Sequence, residues 1–137
     1  MKKNFVLQAV GMFILTALIA GLLLVGSVCI PQAAIKEQVV DSVEYFARKP
    51  LFPYLNGNQF NLRQDNYADS ILVNIMYHMG AGSDENIFST TMKAAYYNEE
   101  RQNVNESLSI AVSRPHSANV PYFRYWHGSL ILLRPLF

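Results

Sequence analysis

Phe5 to Ile30 reads FVLQAVGMFILTALIAGLLLVGSVCI, 26 residues without a formal charge, in which only Gln8, Thr16 and Ser27 are clearly polar. As a helix rising about 1.5 Å per residue it measures roughly 39 Å, more than the roughly 30 Å hydrocarbon core of a bilayer. The stretch predicts a transmembrane helix with tilt to spare. The competing reading is a cleaved signal peptide, whose apolar region is about 7–15 residues long and ends at small residues. Here the run is longer, and Ala33-Ala34 comes only after Pro31, without an A-x-A site. Gly26-Ser27-Val28-Cys29 is a poor lipidation signal, since neither a small residue precedes Cys29 nor a leucine stands three before it. The expectation is an uncleaved anchor, with Cys29 as an apolar side chain facing the membrane.

Working outward, Lys2 and Lys3 precede the run, and cations next to a span stay on the cytoplasmic side. The nearest cation beyond it, Lys36, adjoins Glu37. The expected topology is therefore N-terminus cytoplasmic, with everything after Pro31 extracytoplasmic at a cell membrane. Ala17 and Gly21, four apart, make a small-residue face suited to packing against other transmembrane helices.

Composition narrows the rest. Of 137 residues only 15% are charged, against roughly 25% in soluble domains, which argues against a highly solvated or disordered chain. A net charge of +1 gives no basis for a nucleic-acid partner. A single cysteine rules out an internal disulfide framework and a Cys-rich zinc site.

The predicted fold class is all-α, in three segments: 1–30, the cytoplasmic tip and span; 31–121, an extracytoplasmic set of short amphipathic helices; and 122–137, an interfacial aromatic segment that starts a second span. In the middle segment Ile35, Val39, Val43 and Phe46 lie on one helical face. Lys49 to Asn58, with two prolines and Asn56-Gly57, breaks that helix, yet Leu51, Phe52, Tyr54 and Leu55 are too apolar for an idle linker. Asn66 to Met79 carries Tyr67, Ile71, Ile75 and Met79 at i+4 spacing, with Asp65 as N-cap and Gly80-Ala81-Gly82 as stop. A third helix has Phe88, Met92, Ala95 and Tyr96 on its face, a fourth Val104, Leu108, Ala111 and Val112. No period-two alternation is sustained, so sheet is not expected. The stripes are modest, and small domains bury a small fraction of their surface; the missing burial is expected from other spans or from lipid.

At the end of the chain Tyr122, Phe123, Tyr125 and Trp126 surround Arg124, an aromatic and cationic cluster of the kind found at bilayer surfaces. Leu130 to Leu133 follows, but Trp126 to Phe137 is only 12 residues, too short to cross. Either the chain is the N-terminal part of a longer multi-span protein, which is the expectation, or its end docks at the interface. Arg134 in such a run needs a partner or a role unless it snorkels to the surface.

Candidate chemistry is sparse. Asp65 and Asp69, four apart, form a carboxylate pair that a helix would direct to one side, suited to a divalent ion or to base catalysis. The bland alternative makes Asp65 a cap and Asp69 a solvated group at the positive end of the helix dipole. His78, His116 and His127 have no spacing that suggests zinc, and His127 beside Trp126 stands where it would meet an anionic head group. No phosphate loop, dinucleotide fingerprint, nucleophile elbow or H-E-x-x-H motif occurs. Asn105-Glu106-Ser107 matches the N-glycosylation pattern, a triplet common by chance.

Arg124-Tyr125-Trp126-His127-Gly128, Leu133-Arg134-Pro135-Leu136 and Asp65-Asn66-Tyr67-Ala68-Asp69-Ser70 resemble segments of multi-pass membrane proteins of Gram-positive bacteria. The layout also resembles the start of GT-C membrane glycosyltransferases, where a first span leads to an extracytoplasmic loop bearing a catalytic acid. In that family the acid usually comes soon after the span, where this chain has Glu37, Asp41 and Glu44; the Asp65/Asp69 pair comes later. That resemblance implies a lipid-linked sugar donor; on this alternative reading the residues suggest Asp65 and Asp69 as catalytic groups that hold a divalent metal or act as base, with Arg124, His127 and Arg134 as contacts to the anionic substrate. The residues alone support a different primary expectation: no cofactor, and a membrane protein acting through interaction with membrane lipid and with other transmembrane helices.

Overall fold

A computed structural model describes residues 2–55, 63–80, 86–123 and 127–137. The described chain is mostly helical, with six α-helices, α1 Lys2–Val28, α2 Gln32–Ala47, α3 Asn66–His78, α4 Ile87–Met92, α5 Val104–Ser113 and α6 Leu130–Leu136, and a two-stranded ribbon of β1 Ala95–Tyr96 and β2 Val120–Pro121.

Within α1, Asn4–Val28 is 25 residues with a mean hydropathy of 2.5, long and apolar enough to cross a membrane. Its side chains are exposed from Asn4 to Ile19. Only its end enters the protein core, where Leu24, Ser27 and Val28 are buried.

The folded part is built on α2, α3 and α5, each packed against the other two. Ile35, Val39 and Phe46 from α2, Ile71, Ile75 and Met76 from α3, and Val104, Leu108 and Val112 from α5 form the core, with Val43 at its edge. These are the apolar stripes that the helical period defines, and the caps agree. Asp65 accepts a hydrogen bond from the Ala68 N–H at 2.9 Å. Asn103 and Glu106 form a reciprocal capping box at the start of α5. The proline-rich loop is packed as expected: Leu51 lies against the core and Phe52 stacks on Tyr67.

One expectation changes. The third helix stops at Met92, and Ala95-Tyr96 pairs in antiparallel register with Val120-Pro121. Asn74 on α3 accounts for this. Its side-chain amide donates to the Tyr97 carbonyl and accepts from the Tyr97 N–H, both at 2.9 Å, so this stretch follows α3 like a strand. Phe88 and Met92 consequently point outward, 62% and 78% exposed, rather than into the core.

α3 is buried on its polar side as well. Asn66, Ser70, Asn74 and His78, spaced four apart, are all buried. Asn66 donates to the Pro50 carbonyl, Ser70 to the side-chain oxygen of Asn105, and His78 Nδ1 lies 2.9 Å from the Asn74 carbonyl oxygen. The polar stripe thus finds partners inside the protein, while Asn66 Oδ1 and His78 Nε2 stay buried without one.

α6 closes the structure by bridging α1 and α3. Leu130 is in the core, and Leu133 and Phe137 line a depression together with Tyr45 and Phe46 of α2 and Asp69, Leu72 and Val73 of α3.

Candidate functional site

The residues singled out in the sequence fall into separate places. Asp65 is committed to capping α3. Asp69, one turn on, faces the α2–α3 depression that also holds Asp41 and Gln64. Partial burial, with the negative charge of Asp65 added, raises the Asp69 carboxyl above its ordinary range. The pair therefore does not present two free carboxylates side by side. Among the described residues no group of three or more His, Cys, Asp or Glu side chains is placed to hold a metal ion.

Arg124 lies outside the described residues. The main chain of His127 begins a 3₁₀ turn, His127–Ser129, that leads into α6; its side chain also lies outside them.

Arg134 is the most deeply buried charged residue of the described chain, at 0% exposure. Its guanidinium donates to the Met76 carbonyl at 2.8 Å, to the Met79 carbonyl and to the Ile30 carbonyl. Those oxygens belong to the last turn of α3, to its C-cap and to the second residue beyond α1. Helix C-termini leave carbonyls without partners and carry partial negative charge, so one planar cation serves both ends. Pro135, which follows directly, costs the helix one amide donor near its own end. A cation in an apolar run needs a partner, but no sequence signal points to main-chain carbonyls 55 to 104 residues away.

Gly80 locks the same corner. It has φ +78°, and a Cβ there would stand 2.6 Å from the Val28 carbonyl oxygen. Only glycine permits both that backbone conformation and that approach. The corner where α1 enters the folded part is thus held by Gly80, by Arg134 and by the burial of Leu24 and Val28.

Beside this corner lies a surface suited to lipid or to another helix. Ala17 and Gly21 line an apolar groove of about 450 Å³ between α1 and α4, with Leu24, Phe88, Thr91 and Met92. The space over Gly21 is open, with no atom beyond its chain neighbours and its own helix backbone within 4 Å of where a Cβ would sit. Leu132 and Leu136 of α6 are also exposed.

Two histidines that sequence spacing kept apart come together in the fold. His78 sits beside His116, whose ring stacks on Tyr97 at 4.5 Å. Burial holds His78 below its ordinary pKa, against the opposing pull of the Asn74 and His116 main chain. Asn105 of the glycosylation triplet is 5% exposed, and its amide donates to the Phe46 and Lys49 carbonyls, so the folded protein offers no acceptor there.

Comparison with protein-family models, with curated proteins and with solved structures finds no match to this chain.

Proposed function

We propose that this chain is a membrane-anchored interaction module, in which α1 spans the bilayer and remains attached to a helical cap on the extracytoplasmic side. The observation that carries the reading is the structure of the corner. A removable leader would be joined by an exposed, extended segment. Here the last turn of α1 is core, and Gly80 and Arg134 are fitted to its end. An exposed apolar rod the length of α1 is unsuited to water, while Lys2 and Lys3 favour a cytoplasmic N-terminus. The groove beside Ala17 and Gly21 and the exposed Phe88, Met92, Leu132 and Leu136 then meet lipid or neighbouring transmembrane helices of a larger assembly.

Transfer from a lipid-linked sugar is the weaker reading. It needs Asp65 and Asp69 to act together, and the Asp65 carboxylate is used by the α3 cap.

Topology is tested with Cys29→Ser combined with Glu100→Cys, which places one thiol on an exposed loop of the cap. A membrane-impermeant maleimide should label intact cells, and the labelled chain should retain α1. Labelling only after lysis, or a labelled product lacking α1, overturns the reading.

A further inference from the structure

A second pocket lies at the base of α2, against the end of α5 and the loop after it, enclosing about 470 Å³. Gln32, Lys36, Ser113, Arg114, His116 and Ser117 supply its polar groups, and no carboxylate lines it. Lys36 and Arg114 are exposed and form no ion pair with any described residue. Two cations facing one recess without an acidic neighbour repel each other unless an anion stands between them.

Position supplies the rest. Twenty-five residues of α1 measure about 38 Å, which exceeds the roughly 30 Å hydrocarbon core and carries the helix end into the head-group layers, where the whole bilayer is about 40–45 Å thick. Gln32 follows four residues after Val28, and its amide is tied to the Tyr77 carbonyl at 3.1 Å, which fixes the pocket wall close to that helix end. Lys36 is one helical turn further on. With α1 spanning as proposed, a recess beside that helix end would lie at the level of lipid phosphates.

We infer that this pocket holds the phosphate of an anionic lipid head group. Arg114 offers a planar fork of donors that matches two phosphate oxygens, Lys36 a compact charge, and Ser117 a neutral donor. Pro31 gives α2 no side-chain cap, so the positive end of that helix adds to the same field. The inference rests on α1 spanning the membrane as proposed above.

Native mass spectrometry of the full chain, released from non-ionic detergent with equal amounts of a phosphatidylglycerol and a phosphatidylcholine, reads it out. The wild type should carry the anionic lipid in about tenfold excess, the scale of one charge-assisted contact. Lys36→Gln with Arg114→Gln should bring the ratio close to one. Arg48→Gln with Lys49→Gln, which removes equal charge elsewhere on the cap, should leave it within about twofold of wild type. Equal loss in both double variants, or no loss in the first, overturns the site. Displacement of the bound lipid by millimolar inorganic phosphate would make the ligand a free phosphate and overturn the lipid assignment. Carbonate extraction of the wild type separates the two readings: a chain that stays in the membrane without lipid preference refutes the pocket alone, whereas an extracted chain refutes the span and the pocket with it.

Discussion

Replacing Arg134 with methionine tests whether the cation that joins α1, α3 and α6 is structural. Methionine keeps the apolar stem of the side chain and removes the donors. Three main-chain carbonyls, of Ile30, Met76 and Met79, then lose their partner in the protein interior. Hydrogen bonds to a charged donor contribute about 1.5–3 kcal/mol each, while a shielded carbonyl left alone costs about 1 kcal/mol or more. Removing the buried charge also removes its desolvation cost of several kcal/mol, which offsets much of the gross loss. The expected net effect is about 2–4 kcal/mol, a large share of the roughly 5–15 kcal/mol available to a small domain. Arg134→Lys should lose less, since an ammonium reaches some of the carbonyls but cannot fork across all three. Urea denaturation in mild detergent, followed by far-UV circular dichroism, converts that energy into a fall of about 1–3 M in midpoint. Hydrogen exchange adds a spatial readout, because protection should drop where α1 and α3 end and stay near wild type at the start of α5. A midpoint within about 0.3 M of wild type, with exchange unchanged, would refute the structural role and return Arg134 to the list of candidate substrate contacts.

Two further perturbations probe neighbouring parts of the structure. Gly80→Ala should cost at least about 2 kcal/mol, because it adds left-handed backbone strain of about 1 kcal/mol to a clash with the Val28 carbonyl; a wild-type urea midpoint would show that the close approach is not maintained. His78, held below its ordinary value of 6.5 by burial, binds fewer protons folded than unfolded. Its contribution to stability is therefore complete above about pH 6.5 and declines as pH falls through that value towards the folded pKa. The melting temperature should drop between pH 7.5 and 5.5, and His78→Gln should flatten that slope; an equal slope in the variant excludes His78 as its source.

The sequence disclosed what depends on local period and on caps. Apolar residues at helical spacing located α2, α3 and α5, because a stripe such as Ile35, Val39 and Phe46 has to find a core whatever surrounds it. Asp65 was legible as a cap because it bonds to an amide three residues away. What stayed hidden involves partners far along the chain. Asn66, Ser70, Asn74 and His78 look like a solvated face of α3, and their burial depends on the 50s loop, on Asn105 and on Tyr97 arriving to satisfy them. Asn74 mimics a peptide group for Tyr97, which turns an expected helical continuation at Ala95-Tyr96 into a strand. Lys36 and Arg114, 78 residues apart, share a pocket that only the packing of α2 on α5 creates. No spacing rule connects such pairs.

The same dependence on distant partners makes α1 part of the fold. The cap lacks one wall of its core, which Leu24 and Val28 of α1 supply; fully burying an aliphatic side chain stabilises by about 1.5–3 kcal/mol. A chain starting at Pro31 would lose both side chains and bare one side of Gly80, of Leu130 and of Arg134. It would keep the Ile30 site of Arg134 empty while the two α3 carbonyls remained engaged. The expected loss is about 3–5 kcal/mol after allowing for residual structure in the unfolded chain, which already buries part of its apolar surface. Residues 31–137 alone should therefore unfold at a urea midpoint well below the cap in the full chain, or show far-UV helicity with binding of a hydrophobic dye and poor chemical-shift dispersion. A truncated cap with the full-length midpoint and a well-dispersed spectrum would refute the shared core. It would also restore the reading of α1 as a leader, since a leader is a segment whose removal the mature fold does not register.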